Sequence, residues 1–178
     1  MQSVHIPIAR VEKLREGKEP IARLSKVCNC KISIDRENVV FVEGEDTYLE
    51  YAARNVIFAF GRGFGMAVAE RLLKDDYYFQ IMDLRQLFGN KRRLQEIKAR
   101  LIGTDGRTKR YIELVSSAKV AVYGDTVSII GRITEIGEAE AAIKSIINGR
   151  GHRKAYTRME AAHRRHVEEK RAAALMEE

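Results

Sequence analysis

Hydrophobic and polar positions follow the same succession of periods twice along the 178-residue chain. In the second half, residues 77–84 (YYFQIMDL) alternate as in a half-buried strand, and residues 91–100 (KRRLQEIKAR) show helical spacing. Gly124 and Asp125 are a strong hairpin signal between two β-rich runs. The pattern predicts a strand at 77–84, helices at 91–100 and 107–117, strands at 119–123 and 127–131, and a helix at 134–148.

The first half repeats this order at an offset of about 88 residues. KISID (31–35) falls on KVAVY (119–123), and VFVEG (40–44) falls on VSIIG (127–131). Both halves end in Gly-Arg-Gly, where a glycine is the expected stop of a helix. The pattern predicts a strand at 4–9, helices at 10–15 and 20–28, strands at 31–35 and 39–43, and a helix at 46–60.

We therefore expect an α+β fold in two tandem copies. Each copy is a three-stranded antiparallel sheet covered by three helices. The expected boundaries are a first domain at 1–63, a linker helix at 64–76, a second domain at 77–151 and a basic helical tail at 152–178. GRGFG (61–65) lacks the third glycine of a dinucleotide loop, because position 66 is Met, and is interpreted as a helix stop.

Composition excludes several classes of protein. The chain is 45% apolar and 32% charged, as in an ordinary globular protein. It has no apolar run near the ~20 residues that span a bilayer and no signal peptide, so we expect a cytoplasmic protein without membrane contact. A disulfide between Cys28 and Cys30 on one strand would be strained, so we expect reduced thiols with Cys28 in the core.

Positive charge is concentrated in one stretch. Residues 91–110 contain eight basic and two acidic residues, so they carry six of the seven net charges. Such a stretch indicates an anionic partner, of which nucleic acid is the commonest. By charge alone, a solvated helix face is an equal alternative.

At the end of this stretch lies IGTDGRTKR (102–110). Glycines at 103 and 106 permit close approach of a phosphate, and the helix that follows directs its positive end at the loop. Asp105 opposes a phosphate by an amount on the order of 1 kcal/mol, which the nearby cations offset. Its carboxylate is also a candidate cap for the following helix.

Gly-x-x-Gly between two helices, ahead of a Lys-Val-x-Val strand, resembles the type I KH domain. Residues 59–84, 103–131 and 147–156 resemble the tandem-KH proteins of small-ribosomal-subunit assembly, the partner-of-Nob and Krr group, in their compact archaeal form. The resemblance covers nearly all of residues 4–160. It implies a factor, not an enzyme, that binds single-stranded small-subunit rRNA near its 3′ end and assists cleavage by a PIN-domain endonuclease. The alpha subunit of translation initiation factor two is a further candidate partner.

The predicted RNA site combines the loop with a groove beside it. Base contacts are expected from Ile102, Ile112 and the strand around Val120 to Val122, and phosphate contacts from the loop and its cations. The predicted RNA-binding residues are Ile102, Gly103, Thr104, Asp105, Gly106, Arg107, Lys109, Arg110, Ile112, Val120 and Val122. Arg153 and Lys154 in the tail are expected to extend the path.

The first copy lacks the glycine pair, because Arg15 falls on Gly103 and Lys18 on Gly106. Our hypothesis is that this copy packs against the second copy or a protein partner and binds RNA weakly. The alternative is that Arg15 and Lys18 make secondary contacts to phosphate with their side chains. No cofactor is expected. HRRH (163–166) has no evident third ligand, so no metal site is expected either.

Two other functions remain open at this stage. One is a general binder of single-stranded RNA, such as an mRNA-binding or exosome-associated KH protein. The other is a protein-interaction scaffold in which both copies are structural.

Overall fold

The computed structural model describes residues 1–149, apart from the side chain of Lys18, and residues 157, 160, 161, 164, 165 and 168. These six tail residues have helical backbone. Arg153 and Lys154 lie outside the described residues. The chain divides into two compact units, Met1–Phe79 and Gln80–Glu178.

The first unit confirms the predicted order of elements. Its three strands form one sheet in the order β1-β3-β2, with both pairings antiparallel. Its elements are β1 (Gln2–His5), α1 (Ile8–Glu16), α2 (Lys18–Val27), β2 (Cys30–Ile34), β3 (Val39–Gly44), α3 (Thr47–Gly61), α4 (Met66–Ala69) and a 3-10 turn (Glu70–Leu73).

Two boundaries in this unit differ from the sequence prediction. The strand expected at 4–9 ends at His5, because Pro7 lies directly before α1 and its carbonyl accepts the Arg10 and Val11 amides. The linker expected as one helix at 64–76 is instead a four-residue helix followed by the 3-10 turn.

This linker is held to the first unit by two arginines. Arg10 is buried, and its Nε donates to the Phe60 carbonyl at 2.9 Å. Its guanidinium also donates to the Phe64 carbonyl and lies 3.8 Å from the centre of the Phe60 ring. Arg23 binds both carboxylate oxygens of Glu70, at 2.8 and 2.9 Å. Buried charge is tolerated at Arg10 because carbonyl groups at the end of α3 satisfy it.

The second unit has the same order of elements and the strand order β4-β6-β5, with β5 and β6 antiparallel. It adds a short helix, α5, that the sequence reading did not anticipate. Asp83 starts this helix by accepting the Arg85 amide at 2.8 Å. The elements are β4 (Tyr78–Asp83), α5 (Leu84–Leu87), α6 (Lys91–Ile102), a 3-10 turn (Thr104–Gly106), α7 (Arg107–Ser116), β5 (Lys119–Tyr123), β6 (Thr126–Gly131) and α8 (Ile133–Ile147).

The core of the second unit lies between its helices and one face of its sheet. Helix α6 contributes Leu94, Ile97 and Leu101, at the spacing of one helical face. The other fully buried members include Ile143 and Ile146 of α8. Burying each such aliphatic side chain stabilises the fold by about 1.5–3 kcal/mol. This packing fixes α6 and α7, and therefore the loop between them.

Both cysteines are free and buried, so Cys28 lies in the core as expected. The two are not on one strand, however: Cys28 follows the last residue of α2, Asn29 has a left-handed φ of 49°, and Cys30 opens β2. The Cys30 thiol donates to the Cys28 carbonyl. Burial raises the pKa of the Cys28 thiol to about 11.

Within the residues that the structure describes, none of the helices has the length and apolar character needed to cross a bilayer.

Candidate nucleic-acid interface

Four residues, Gly103 to Gly106, connect α6 to α7 and expose the middle of the loop. Gly103 has a φ of 73° and Gly106 a φ of 74°. Asp105 also has a left-handed backbone, with a φ of 50° and ψ of 28°, a conformation that Asp tolerates better than most residues. The Thr104 and Asp105 side chains are exposed. The predicted loop is therefore present, and its tip faces solvent.

The two glycines have different physical roles. A Cβ on Gly103 would lie 2.8 Å from the Thr108 backbone nitrogen and 2.9 Å from its Cβ, closer than real contacts allow. A Cβ on Gly106 would meet only Arg110 Nε, at 4.0 Å. Gly103 thus permits α6 and α7 to pack, whereas the backbone at Gly106 borders open space that a phosphate could enter.

Helix α7 starts at this open side. Gly106 is its N-cap residue, and no side chain caps it. The Asp105 carboxylate therefore does not cap the helix, contrary to one expectation. The first backbone N–H groups of a helix carry partial positive charge and favour an anion. In α7 those groups are not covered by a capping side chain.

Three cations follow the loop on α7. Arg107 is exposed and makes no hydrogen bond or ion pair with another described residue. Arg110 donates to the Asp105 carbonyl at 2.5 Å, which braces the loop. Lys109 Nζ lies 3.9 Å from Glu113 Oε1, a distance at which most of its charge remains available to a ligand.

Not every cation of the basic stretch belongs to this surface. Lys98 donates to the Gly124 carbonyl at 3.0 Å and lies 3.4 Å from Asp125 Oδ1. Its role is to hold the β5–β6 hairpin against α6. Arg92 and Arg93 form exposed pairs with Glu96, which contribute little to stability.

The predicted groove wall needs correction. Ile112 and Val120 are 1% and 3% exposed and lie in the hydrophobic core, so their side chains offer no surface to a strand. Ile102, at the end of α6, is 38% exposed, and Val122 is half-buried. The apolar surface beside the loop is therefore limited to Ile102 and part of Val122 among the four predicted residues.

β5 is an edge strand of its sheet, so one row of its backbone groups points outward. The Val120 amide in that row donates to Glu113 Oε1 at 2.8 Å. Val122 has the same parity as Val120, so its amide and carbonyl point out of the same edge. The backbone of Val122 can therefore hydrogen-bond a ligand, whereas the Val120 amide is already bonded to Glu113.

The corresponding turn of the first unit has a different geometry. Gly17 alone connects α1 to α2, with a φ of −93° that any residue can adopt. Arg15 donates to the Asp35 carbonyl at 2.9 Å, and the side chain of Lys18 lies outside the described residues. A groove of about 480 Å³ beside this turn is lined mainly by Leu14, Ile21, Ile32 and Ile34. The unit has an apolar groove without a projecting glycine loop.

Sequence reasoning missed two residues of the site. Thr108 is buried against Gly103, and Glu113 connects α7 to β5. Glu113 had a weak signal, since it is the acid four residues after Lys109. Among the described residues, no group of three His, Cys, Asp or Glu side chains could hold a metal ion.

The chain is similar to known KH-domain proteins in sequence. Residues 78–164 match the model of the second KH domain of Pno1, described as a eukaryotic-type, type I KH domain. KH domain-containing protein MJ0443 of Methanocaldococcus jannaschii is 30% identical over 90% of this chain and 73% of that protein. The pre-rRNA-processing protein pno1 of Aspergillus fumigatus is 35% identical over 58% of this chain. The match covers 42% of the Aspergillus protein.

A solved structure extends the similarity to three dimensions. It is the a/eIF2alpha-aDim2p-rRNA complex from Pyrococcus horikoshii, whose matching chain is 34% identical with a TM-score of 0.83. The match covers 92% of this chain and 93% of that one. The present chain therefore belongs to the Pno1/Dim2 family of KH-domain proteins.

Proposed function

We propose that this protein is a non-catalytic RNA-binding factor of small-ribosomal-subunit assembly. It holds single-stranded rRNA from the 3′ region at the Gly103–Gly106 loop and assists 3′-end processing of the precursor. The observation that carries this proposal is the open backbone at Gly106, directly before the uncapped start of α7 and three exposed or half-exposed cations.

Physical chemistry supports a nucleic-acid strand as the ligand. Backbone amides at the start of α7 suit one phosphate, and Arg107, Lys109 and Arg110 add charge that positions a strand without reading its sequence. Ile102 and the Val122 edge supply the apolar and hydrogen-bonding surface on which bases could be distinguished. KH domains use this arrangement to hold about four nucleotides.

The choice of rRNA is supported by the relatives. The Aspergillus protein is named for pre-rRNA processing, and the Pyrococcus chain was solved with rRNA and a/eIF2alpha. By extension we propose small-subunit rRNA, the alpha subunit of initiation factor two and a PIN-domain endonuclease as partners of this chain.

We assign the first unit a protein-contact role with weak RNA binding. Its turn is the single residue Gly17, whose amide is bonded to the Lys13 carbonyl, and Arg15 is already bonded to Asp35. If replacing Arg15 and Lys18 with Ala lowers RNA affinity as much as loop substitutions do, this assignment is wrong.

Fluorescence anisotropy with a 3′-terminal small-subunit rRNA oligonucleotide, compared with a scrambled one, tests the function. We expect tighter, salt-dependent binding of the native sequence. Equal affinity for both would instead make the protein a general single-stranded RNA binder. No binding at moderate salt would make it a scaffold.

Thr104→Asp tests the site without disturbing the fold, because Thr104 is exposed at the loop tip. The added carboxylate lies where the phosphate is expected, so we expect at least a tenfold loss of affinity. Thr134→Asp, at an exposed position in the first turn of α8, is the matched control. Equal affinity of the two variants would reject the loop as the RNA site.

A further inference from the structure

The second unit has a pocket of its own, at the opposite end of α6 from the glycine loop. Its volume is about 480 Å³, within the range of small-ligand sites. The residues that line it include Arg85, Phe88, Lys91, Leu94, Gln95 and Asp125. No part of the site described above uses this pocket.

The pocket carries a surplus of positive charge. The Asp125 carboxylate accepts from Arg85 at 2.6 Å and also lies 3.4 Å from Lys98 Nζ, so two cations share one anion. The Arg85 side chain is 76% exposed and can reach a ligand while paired. Lys91 is exposed and makes no ion pair with any other described residue. An anionic ligand is therefore favoured.

An aromatic ring stands beside these cations. Phe88 packs against the core with one part of its surface and remains half-exposed where it lines the pocket. Aromatic rings next to basic side chains are the usual platform for single-stranded nucleic acid, because every base can stack on a ring. An acidic peptide would use the charge but would gain less from the ring.

The pocket is also connected to the glycine loop along α6. The helix places Lys91 and Ile102 about 17 Å apart along its axis. Between them, Lys98 binds the hairpin that ends β5. Lys98 lies one turn before Ile102, so the hairpin residues Gly124 and Asp125 lie beside α6 between the loop and the pocket, and Asp125 lines the pocket.

We propose that this pocket binds a further nucleotide of the RNA strand held at the glycine loop. Its base stacks on Phe88, and Arg85 and Lys91 contact its phosphate. The proposal rests on the proposed function, and it extends the contacted RNA beyond the about four nucleotides of a KH groove.

An oligonucleotide length series tests this subsite. Four- and seven-nucleotide RNAs that share one core sequence are titrated against wild type, Phe88→Leu and Lys91→Gln. Leucine keeps the apolar packing at position 88 but removes the ring. Because one base can then no longer stack, we expect Phe88→Leu to bind the seven-nucleotide RNA about fivefold or more less tightly than wild type does. We expect four-nucleotide binding to stay unchanged in both variants.

Arg93→Gln is the matched control, because Arg93 lies on α6 outside the pocket and Arg92 remains paired with Glu96. Thermal melting checks the fold of Phe88→Leu. If Phe88→Leu is unstable, Lys91→Gln provides the test. We expect the affinity of Lys91→Gln for the seven-nucleotide RNA to depend less on salt than that of wild type, and its affinity for the four-nucleotide RNA to show no such change.

The two proposals fail separately. If Phe88→Leu and Lys91→Gln keep the full affinity for the longer RNA, or lose affinity equally at both lengths, the subsite is refuted even when Thr104→Asp abolishes binding. If Thr104→Asp binds both RNAs as wild type does, the loop is refuted as the RNA site of the proposed function. A folded Phe88→Leu that binds an acidic peptide less tightly but RNA normally would reassign the pocket to protein.

Discussion

Gly103 lies so close to Thr108 that a Cβ at position 103 would come within 2.8 Å of the Thr108 backbone nitrogen. The same glycine has a φ of 73°, which is unfavourable for other residues. Contact and conformation together make this position a requirement of the fold as well as a possible part of a binding site.

Gly103→Ala and Gly106→Ala should therefore differ in stability. Gly106→Ala adds about 1 kcal/mol of strain in the left-handed region, whereas Gly103, with a ψ of 172°, lies in a region that essentially only glycine adopts. Gly103→Ala also displaces the first turn of α7. We expect Gly103→Ala to lower the free energy of unfolding by about 2–4 kcal/mol and Gly106→Ala by about 1 kcal/mol. Urea denaturation measures both. Equal losses would show that α7 moves to accommodate the new methyl group.

Arg107 should contribute to affinity mainly through charge. Removing one phosphate contact lowers the slope of log K against log salt by about 0.7 for single strands. We expect this change for Arg107→Gln, with native and scrambled RNA weakened alike, since a phosphate contact carries no sequence information. The measurement is anisotropy between 50 and about 300 mM salt. Arg93→Gln should leave the slope unchanged, and a similar decrease there would show that charge acts without a defined site.

The Arg85–Asp125 pair should make stability depend on pH. Hydrogen bonding to Arg85 lowers the folded-state pKa of Asp125 below its ordinary value. Because the pKa of Asp125 is lower in the folded protein than in the unfolded chain, its ionisation stabilises the fold. This contribution is complete above the unfolded-state pKa, about 3.9, and is lost as the pH falls through the folded-state pKa. Asp125→Asn should therefore be less stable than wild type at pH 7 and approach it in strong acid. Urea midpoints between pH 2.5 and about 7 provide the comparison.

A constant gap between the two proteins across this range would contradict the assignment to ionisation. Asp105→Asn, which removes an exposed carboxylate that caps no helix, controls for the substitution itself.

The Cys28 thiol should be unreactive in the folded protein. It is 1% exposed, and burial raises its pKa to about 11, so almost no thiolate exists at pH 8. In Cys30→Ser, where Cys28 is the sole cysteine, we expect reaction with a disulfide reagent only after denaturation. If one full equivalent of Cys28 reacted with the reagent within seconds in the native protein, this part of the core would have to open readily.

Much of this architecture could be predicted from periodicity, because the duplicated pattern gives two independent readings of the same order. Boundaries failed where one residue changed the outcome: Pro7 starts α1 two positions earlier than expected, and Asp83 begins a helix that its strand context concealed. Both are local signals that can be recognised from residue type.

The site was harder to predict than the fold. Alternation shows that Val120 and Val122 share one face of β5, but it does not say whether that face meets helices or a ligand. The helical pattern likewise assigns Ile112 to the apolar side of α7 without distinguishing core from groove. Only the packing of α6 and α8 decides these questions, and it places Val120 and Ile112 in the core.

Arg10 and Arg23 together decide where the first domain can be cut. A fragment that ends at residue 63 keeps the buried guanidinium of Arg10 but loses its Phe64 acceptor, and Arg23 loses Glu70. A fragment that continues to residue 76 retains both anchors and the Tyr48–Asp75 hydrogen bond. Isolation of the first domain for binding studies therefore requires the segment that the sequence suggested was only a linker.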